Sequence, residues 1–204
     1  GSTEVDESGT TDTFTIVLNA EPTLDVVVLA MTSNDIGEVT ISGSLTFTSA
    51  NWDTPQTVTV TGVDDDIIDG TITSTITITV DDANSDDDFD AVADQTVSAT
   101  TTDDDTAGFT IAETDGSTEV AESGTTDTFT LVLNAEPTSD VVLTITSDDT
   151  GEATVSGSLT FTSANWDTPQ TVTVTGVDDD IIDGTITSTI TITVDDANSD
   201  DDFD

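Results

Sequence analysis

The chain contains no lysine, no arginine and no histidine. Its 44 aspartates and glutamates give a formal net charge of −44, with nothing of opposite sign to pair with. An internal salt bridge is therefore impossible. Such a surface repels nucleic acid and anionic membranes, so neither is expected as a partner. Cysteine is absent too, which excludes disulfides, thiol catalysis and thiolate metal sites. With tyrosine also missing, only carboxylates are left to act as a general base. Paired carboxylates hydrolyse glycosides, but here they cluster in repeated loops. The expectation is a protein that is not an enzyme and has no catalytic residue. No apolar run is long enough for a transmembrane helix, and no signal peptide is visible. The abrupt start and stop read as a window on a longer chain.

What is present is a repeat. Gly1-Ser2-Thr3-Glu4-Val5 recurs as Gly116-Ser117-Thr118-Glu119-Val120, and residues 42–90 recur unchanged as 156–204. The first copy carries one extra residue, in Asp25-Val26-Val27-Val28-Leu29 against Asp140-Val141-Val142-Leu143. One insertion inside a strand turns every later side chain to the other face unless a bulge absorbs it. A bulge is expected near Val26, with Val27, Leu29 and Met31 matching the inward Val141, Leu143 and Ile145.

Hydrophobic content of 33% with this charge is the composition of a disordered chain. The pattern says otherwise. Phe14, Ile16 and Leu18 alternate with Thr13 and Thr15. Val58 and Val60 alternate with Thr57, Thr59 and Thr61. Ile72, Ile76, Ile78 and Val80 alternate with the threonines from Thr71 to Thr79. Alternation of this kind marks half-buried strands. Short strands are also expected at Val39–Ile41, at Leu45–Phe47, around Val97 and Ala99, and at Phe109 and Ile111. No helical period appears. The count and spacing give an all-β fold of two tandem immunoglobulin-like sandwiches. Trp52 and Trp166, each in a turn between strands, read as plugs at the end of the core rather than as sugar platforms.

Between two of these strands lies Val63-Asp64-Asp65-Asp66-Ile67-Ile68-Asp69-Gly70, repeated as Val177-Asp178-Asp179-Asp180-Ile181-Ile182-Asp183-Gly184. Three adjacent carboxylates repel one another. A bound hard cation is the available remedy, and Ca²⁺ takes about 6–8 oxygens from converging loops. The competing reading is a solvated, salt-tolerant surface. Residues 82–90 have oxygens at every second position but no Gly at the sixth place and no closing Glu, so calcium loop and plain surface both stay open.

The order of these features resembles the Calx-beta domain. Its marks here are a Glu after the first strand, an Asp-bearing loop after the third, Leu-Thr-Phe, a turn, an alternating strand into Val-Asp-Asp-Asp, and a last strand into Asp103-Asp104-Asp105. The resemblance covers nearly the whole chain twice, as repeat 1 (1–105, first strand missing) and repeat 2 (106–204, last strand missing). It implies calcium at one end of each sandwich. Carried over, the ligands are Glu7, Asp35, Asp64, Asp65, Asp66, Asp103, Asp104 and Asp105, then Glu122, Asp149, Asp178, Asp179 and Asp180. The family carries Glu after the Asp run, where this chain has Asp69 and Asp183 as substitutes. The implied role is a calcium-stiffened spacer repeat of an extracellular, cell-surface adhesin or filament. Its partners would be neighbouring identical repeats, including head-to-tail strand donation. The alternative is a calcium-dependent module gripping glycan or protein.

Overall fold

The computed structural model of the chain describes residues 2–23, 26–182 and 184–204. These form two compact units, one of Gly1–Asp65 and Asp69–Asp104, the other of Asp66–Ile68 and Asp105–Asp204. The first unit holds β1 (Ser2–Asp6), β2 (Thr11–Ile16), β3 (Val27–Ser33), β4 (Val39–Ile41), β5 (Leu45–Phe47), β6 (Gln56–Gly62), β7 (Ile72–Val80) and β8 (Gln95–Thr102). The second holds β9 (Phe109–Glu113), β10 (Thr126–Leu133), β11 (Val141–Ser147), β12 (Ala153–Val155), β13 (Leu159–Phe161), β14 (Gln170–Gly176) and β15 (Ile190–Val194). Among the described residues there is no α-helix, only single 3₁₀ turns.

In the first unit a five-stranded sheet, β1-β8-β7-β3-β5, faces a three-stranded one, β2-β6-β4. Inward residues from both sheets, such as Val27, Phe47 and Ile76 from one and Val39 and Val60 from the other, share one core. That makes the unit a sandwich. The second unit repeats the arrangement with β13-β11-β15 against β12-β14-β10-β9, around Phe129, Leu131, Val141, Phe161 and Val172. The fold is all-β, two immunoglobulin-like sandwiches in tandem. Thr, Val and Ile build these strands because a branched side chain packs well on a pleated surface.

The two copies keep one register despite the extra residue. Val27 pairs with Phe47 and Leu29 with Leu45, as Val141 pairs with Phe161 and Leu143 with Leu159. β3 begins at Val27, so the extra residue is taken up ahead of the strand. The rest of that stretch, residues 24 and 25, lies outside the described residues.

β1 is an element the alternation does not announce. It lies parallel to β8, Thr3 opposite Ala99 and Val5 opposite Thr101, and it buries only Thr3 and Val5.

Candidate metal centre

Four strand ends meet at one end of the first sandwich. Glu7 follows β1 directly, and its N–H donates to the Thr102 carbonyl at 3.1 Å, extending the β1–β8 pairing by one residue. The turn after β1 lies against the end of β6. A Cβ on Gly62 would run into the Asp6 carbonyl oxygen, so only glycine permits that approach. The next residue, Val63, donates its N–H to the Glu38 carbonyl at 2.9 Å and ties the loop before β4 to the acidic loop. That loop closes at Gly70, whose φ of +74° is left-handed and whose N–H donates to the Asp103 carboxylate at 2.8 Å. Glu7, Glu38, Asp69 and Asp103 are thus brought in by four separate pieces of chain.

The electrostatics of this cluster are unfavourable as they stand. Glu7 is 1% exposed and Glu38 5% exposed. Neither oxygen of Glu7, nor Oε2 of Glu38, has a hydrogen-bond donor among the described residues. One oxygen from each of Glu7, Glu38 and Asp69 lies within 4.8 Å of the others. Burial first, then the charges of Asp103, Asp69, Asp65 and Glu38, push the Glu7 pKa from 4.5 up to about 7. Burial, then Asp69, Asp35 and Asp65, raise Glu38. Burial, then Asp65 and Asp103, raise Asp69. A buried carboxylate without a donor costs about 1–3 kcal/mol or more. A hard divalent cation removes both that cost and the repulsion, and carboxylate oxygens are its natural ligands.

Not every acid expected from the sequence reaches this point. Asp65 is half-buried and acts on Glu7, Glu38 and Asp69, whereas Asp64 and Asp66 are exposed. Asp35 is exposed and accepts the Gly37 N–H at 3.1 Å, while its charge still bears on Glu38 and Asp69. Asp103 is half-buried and Asp104 exposed. Asp105 is half-buried and opens the main segment of the second unit. In the second unit Glu122 is half-buried, while Asp149, Asp178, Asp179 and Asp180 are exposed. Asp149 and Asp179 accept the N–H groups of Gly151 and Ile181. Asp183 lies outside the described residues. Among the described residues of the second unit, no three acids converge.

Glu38 is the residue that sequence reasoning missed. The signal was available, since Gly37-Glu38 returns as Gly151-Glu152.

The other acidic loop, residues 82–90, has its own explanation. Asp86 is buried, and its carboxylate accepts the Asp88 N–H at 3.0 Å and the Thr23 hydroxyl at 3.2 Å. Its counterpart Asp200 accepts from the Ser139 N–H, the Thr138 hydroxyl and the Asp202 N–H. Burial works to raise the Asp200 pKa, but the hydrogen bonds outweigh it and hold the group below the usual carboxylate value. These two acids cap turns and are supplied with protein donors. Trp166 is half-buried against the second core, and its carbonyl accepts the Leu133 N–H.

No family model and no curated protein matches the chain. Among solved structures it is similar to CBD12 from CALX1.2, at 17% identity and TM-score 0.38, over 86% of this chain and 72% of that one. It is similar to the calcium binding domain CBD12 of CALX1.1, at 18% identity and TM-score 0.37, over 88% and 74%. It is also similar to domains 4 and 5 of the S-layer protein SbsC, at 21% identity and TM-score 0.33, over 86% and 68%.

Proposed function

We propose that the chain is a calcium-binding structural repeat, a spacer in an extracellular or cell-surface adhesin or filament, and not an enzyme. The observation that carries this reading is Glu7. It is buried, neither of its oxygens has a donor among the described residues, and the chain has no Lys, Arg or His to offer one. A fold that buries such a group four strand ends deep has use for an ion from solution. Glu7, Glu38 and Asp69 would hold the cation, with Asp65 and Asp103 beside them, and solvent would supply the remaining oxygens. Extracellular calcium suits a site of this kind, because a millimolar ion serves even a weak one.

The mechanical role follows from connectivity. Asp103 directly follows β8, and the second unit's main segment begins at Asp105. There is almost no linker. A cation that gathers Asp103 toward Glu7 fixes the end of β8, from which the chain passes into the next repeat. Neutralising several carboxylates there also reduces repulsion within a chain of net charge −44.

The test is a calorimetric Ca²⁺ titration of chelator-treated protein, paired with the variant Glu7→Gln. Heat of binding with a rise in melting temperature is expected for the natural chain, since a ligand that binds only the folded state stabilises it. Glu7→Gln should lose most of that affinity. No heat and no shift at millimolar Ca²⁺ would remove the proposal.

A further inference from the structure

Three neighbouring strands of the first unit turn hydroxyls into its core just below the acidic cluster. β1, β8 and β7 lie side by side, and their inward residues fall into layers. Val5, Thr101 and Ile72 share one layer, and Thr3, Ala99 and Ser74 share the next one down. The layer above them holds Glu7, whose N–H reaches the Thr102 carbonyl, and Gly70, whose N–H reaches the Asp103 carboxylate. Thr101 therefore lies directly beneath the acids.

Threonine is a costly residue for that place if packing is its whole task. Thr101 is fully buried, and its Oγ1 has no well-formed hydrogen bond among the described residues. Valine has the same shape and no hydroxyl to leave unpaired. The outward threonines of β7 and β8 carry no such cost, because they do not point into the core. What the Thr101 hydroxyl has close by is Glu38. Burial and the neighbouring carboxylates raise the Glu38 pKa, and the Thr101 hydroxyl works against them as a nearby donor. Glu38 is itself 5% exposed, and its Oε2 lacks a donor among the described residues.

We propose that Thr101 is a positioning residue of the metal centre, its hydroxyl donating to the Glu38 carboxylate and holding that group as a charged ligand for the cation. The inference rests on the calcium reading above and adds to it a residue outside the acidic set. A carboxylate that ligates a metal is oriented by donors behind it. β8 is paired on both sides, so its backbone groups are committed to the ladders. A side-chain hydroxyl is what this strand has left to offer. Ser74 supplies the contrast. Its Oγ is equally buried and has no partner among the described residues, but it sits one layer farther from the acids.

The experiment is a calorimetric Ca²⁺ titration of the 204-residue protein and of its variants Thr101→Val, Thr101→Ser and Ser74→Ala, with urea unfolding of the first unit of each in chelator. Thr101→Val should bind Ca²⁺ about 10–100-fold more weakly. In chelator it should be at least as stable as the natural chain, because an unpaired buried hydroxyl has been removed. A merely structural role would not separate the two readings in this way. Thr101→Ser keeps the hydroxyl and should recover most of the affinity, and Ser74→Ala should bind like the natural chain. The proposal is overturned if Thr101→Val binds as tightly as the natural chain, if Thr101→Ser is as weak as Thr101→Val, or if Ser74→Ala weakens binding equally. The natural chain keeps the two readings apart. No binding there removes the calcium site and this inference together, whereas binding that Thr101→Val retains removes this inference alone.

Discussion

The two repeats are close to an internal control, and they differ where their neighbours differ. Phe14, Ile16 and Leu18 of the first unit are half-buried, while Phe129, Leu131 and Leu133 of the second are buried. The second has β9 alongside β10, and among the described residues the first has no strand alongside β2 in that place. At the other edge the order reverses. Ile76 and Val5 are buried in the first unit, and Ile190 and Val120 are half-buried in the second. Glu7 and Glu122 follow suit, one buried and the other only partly so. A side chain's burial in a sandwich is set by which strands are present on both sides of it, not by its own strand alone.

The largest expected effect comes from the aromatic pair. Phe129→Ala should cost the second unit about 3–5 kcal/mol, as truncation of a buried Phe does. Phe14→Ala should cost the first unit markedly less. Urea unfolding reads each unit separately if Trp52→Phe leaves Trp166 as reporter of the second, and Trp166→Phe the reverse. Equal losses would break the comparison.

Next comes pH. Glu7 binds its proton more tightly folded, at about 7, than unfolded, at 4.5. Its contribution is therefore fully present below pH 4.5 and is lost as pH rises through 7. Without calcium, the first unit should lose on the order of 3 kcal/mol across that window. Calcium should abolish the loss, because the ion takes the place of the proton. Unfolding of the first unit at several pH values, in chelator and in calcium, checks this. A chelator profile flat or rising with pH contradicts it.

Calcium itself should favour the first unit. At an ion concentration about 100-fold above Kd, the gain is about 2.7 kcal/mol. The second unit, with Glu122 half-buried and no three acids converging among its described residues, should gain less. Melting followed through each tryptophan in turn separates the two.

The smallest effect is a single hydroxyl. Thr3→Val removes the bond to Ser98 and should cost about 1 kcal/mol. Thr118→Val removes a buried hydroxyl that has no partner among the described residues and should be neutral or stabilising. Chemical denaturation of both variants decides it.

The strands were legible wherever alternation ran long enough. Ile72 to Val80 reads as a strand from its threonines alone, and it is one. β1 was not legible, because its order comes from β8, which lies far along the chain, and a five-residue segment with two inward residues carries no period. The acidic loop was legible as a place but not as a ligand set. Neighbours in an extended segment point to opposite sides, so three consecutive aspartates do not all face one ion, and Asp65 turns in while Asp64 and Asp66 stay out. Glu38 stayed hidden for a related reason. It sits alone before a three-residue strand, and only the tertiary meeting of four strand ends gives it company.

The most direct test of the central claim is a crystal structure of the protein grown in millimolar calcium. The account predicts an ion about 2.3–2.6 Å from carboxylate oxygens of Glu7, Glu38 and Asp69. A well-ordered first unit with these three carboxylates in place and no ion among them would contradict it.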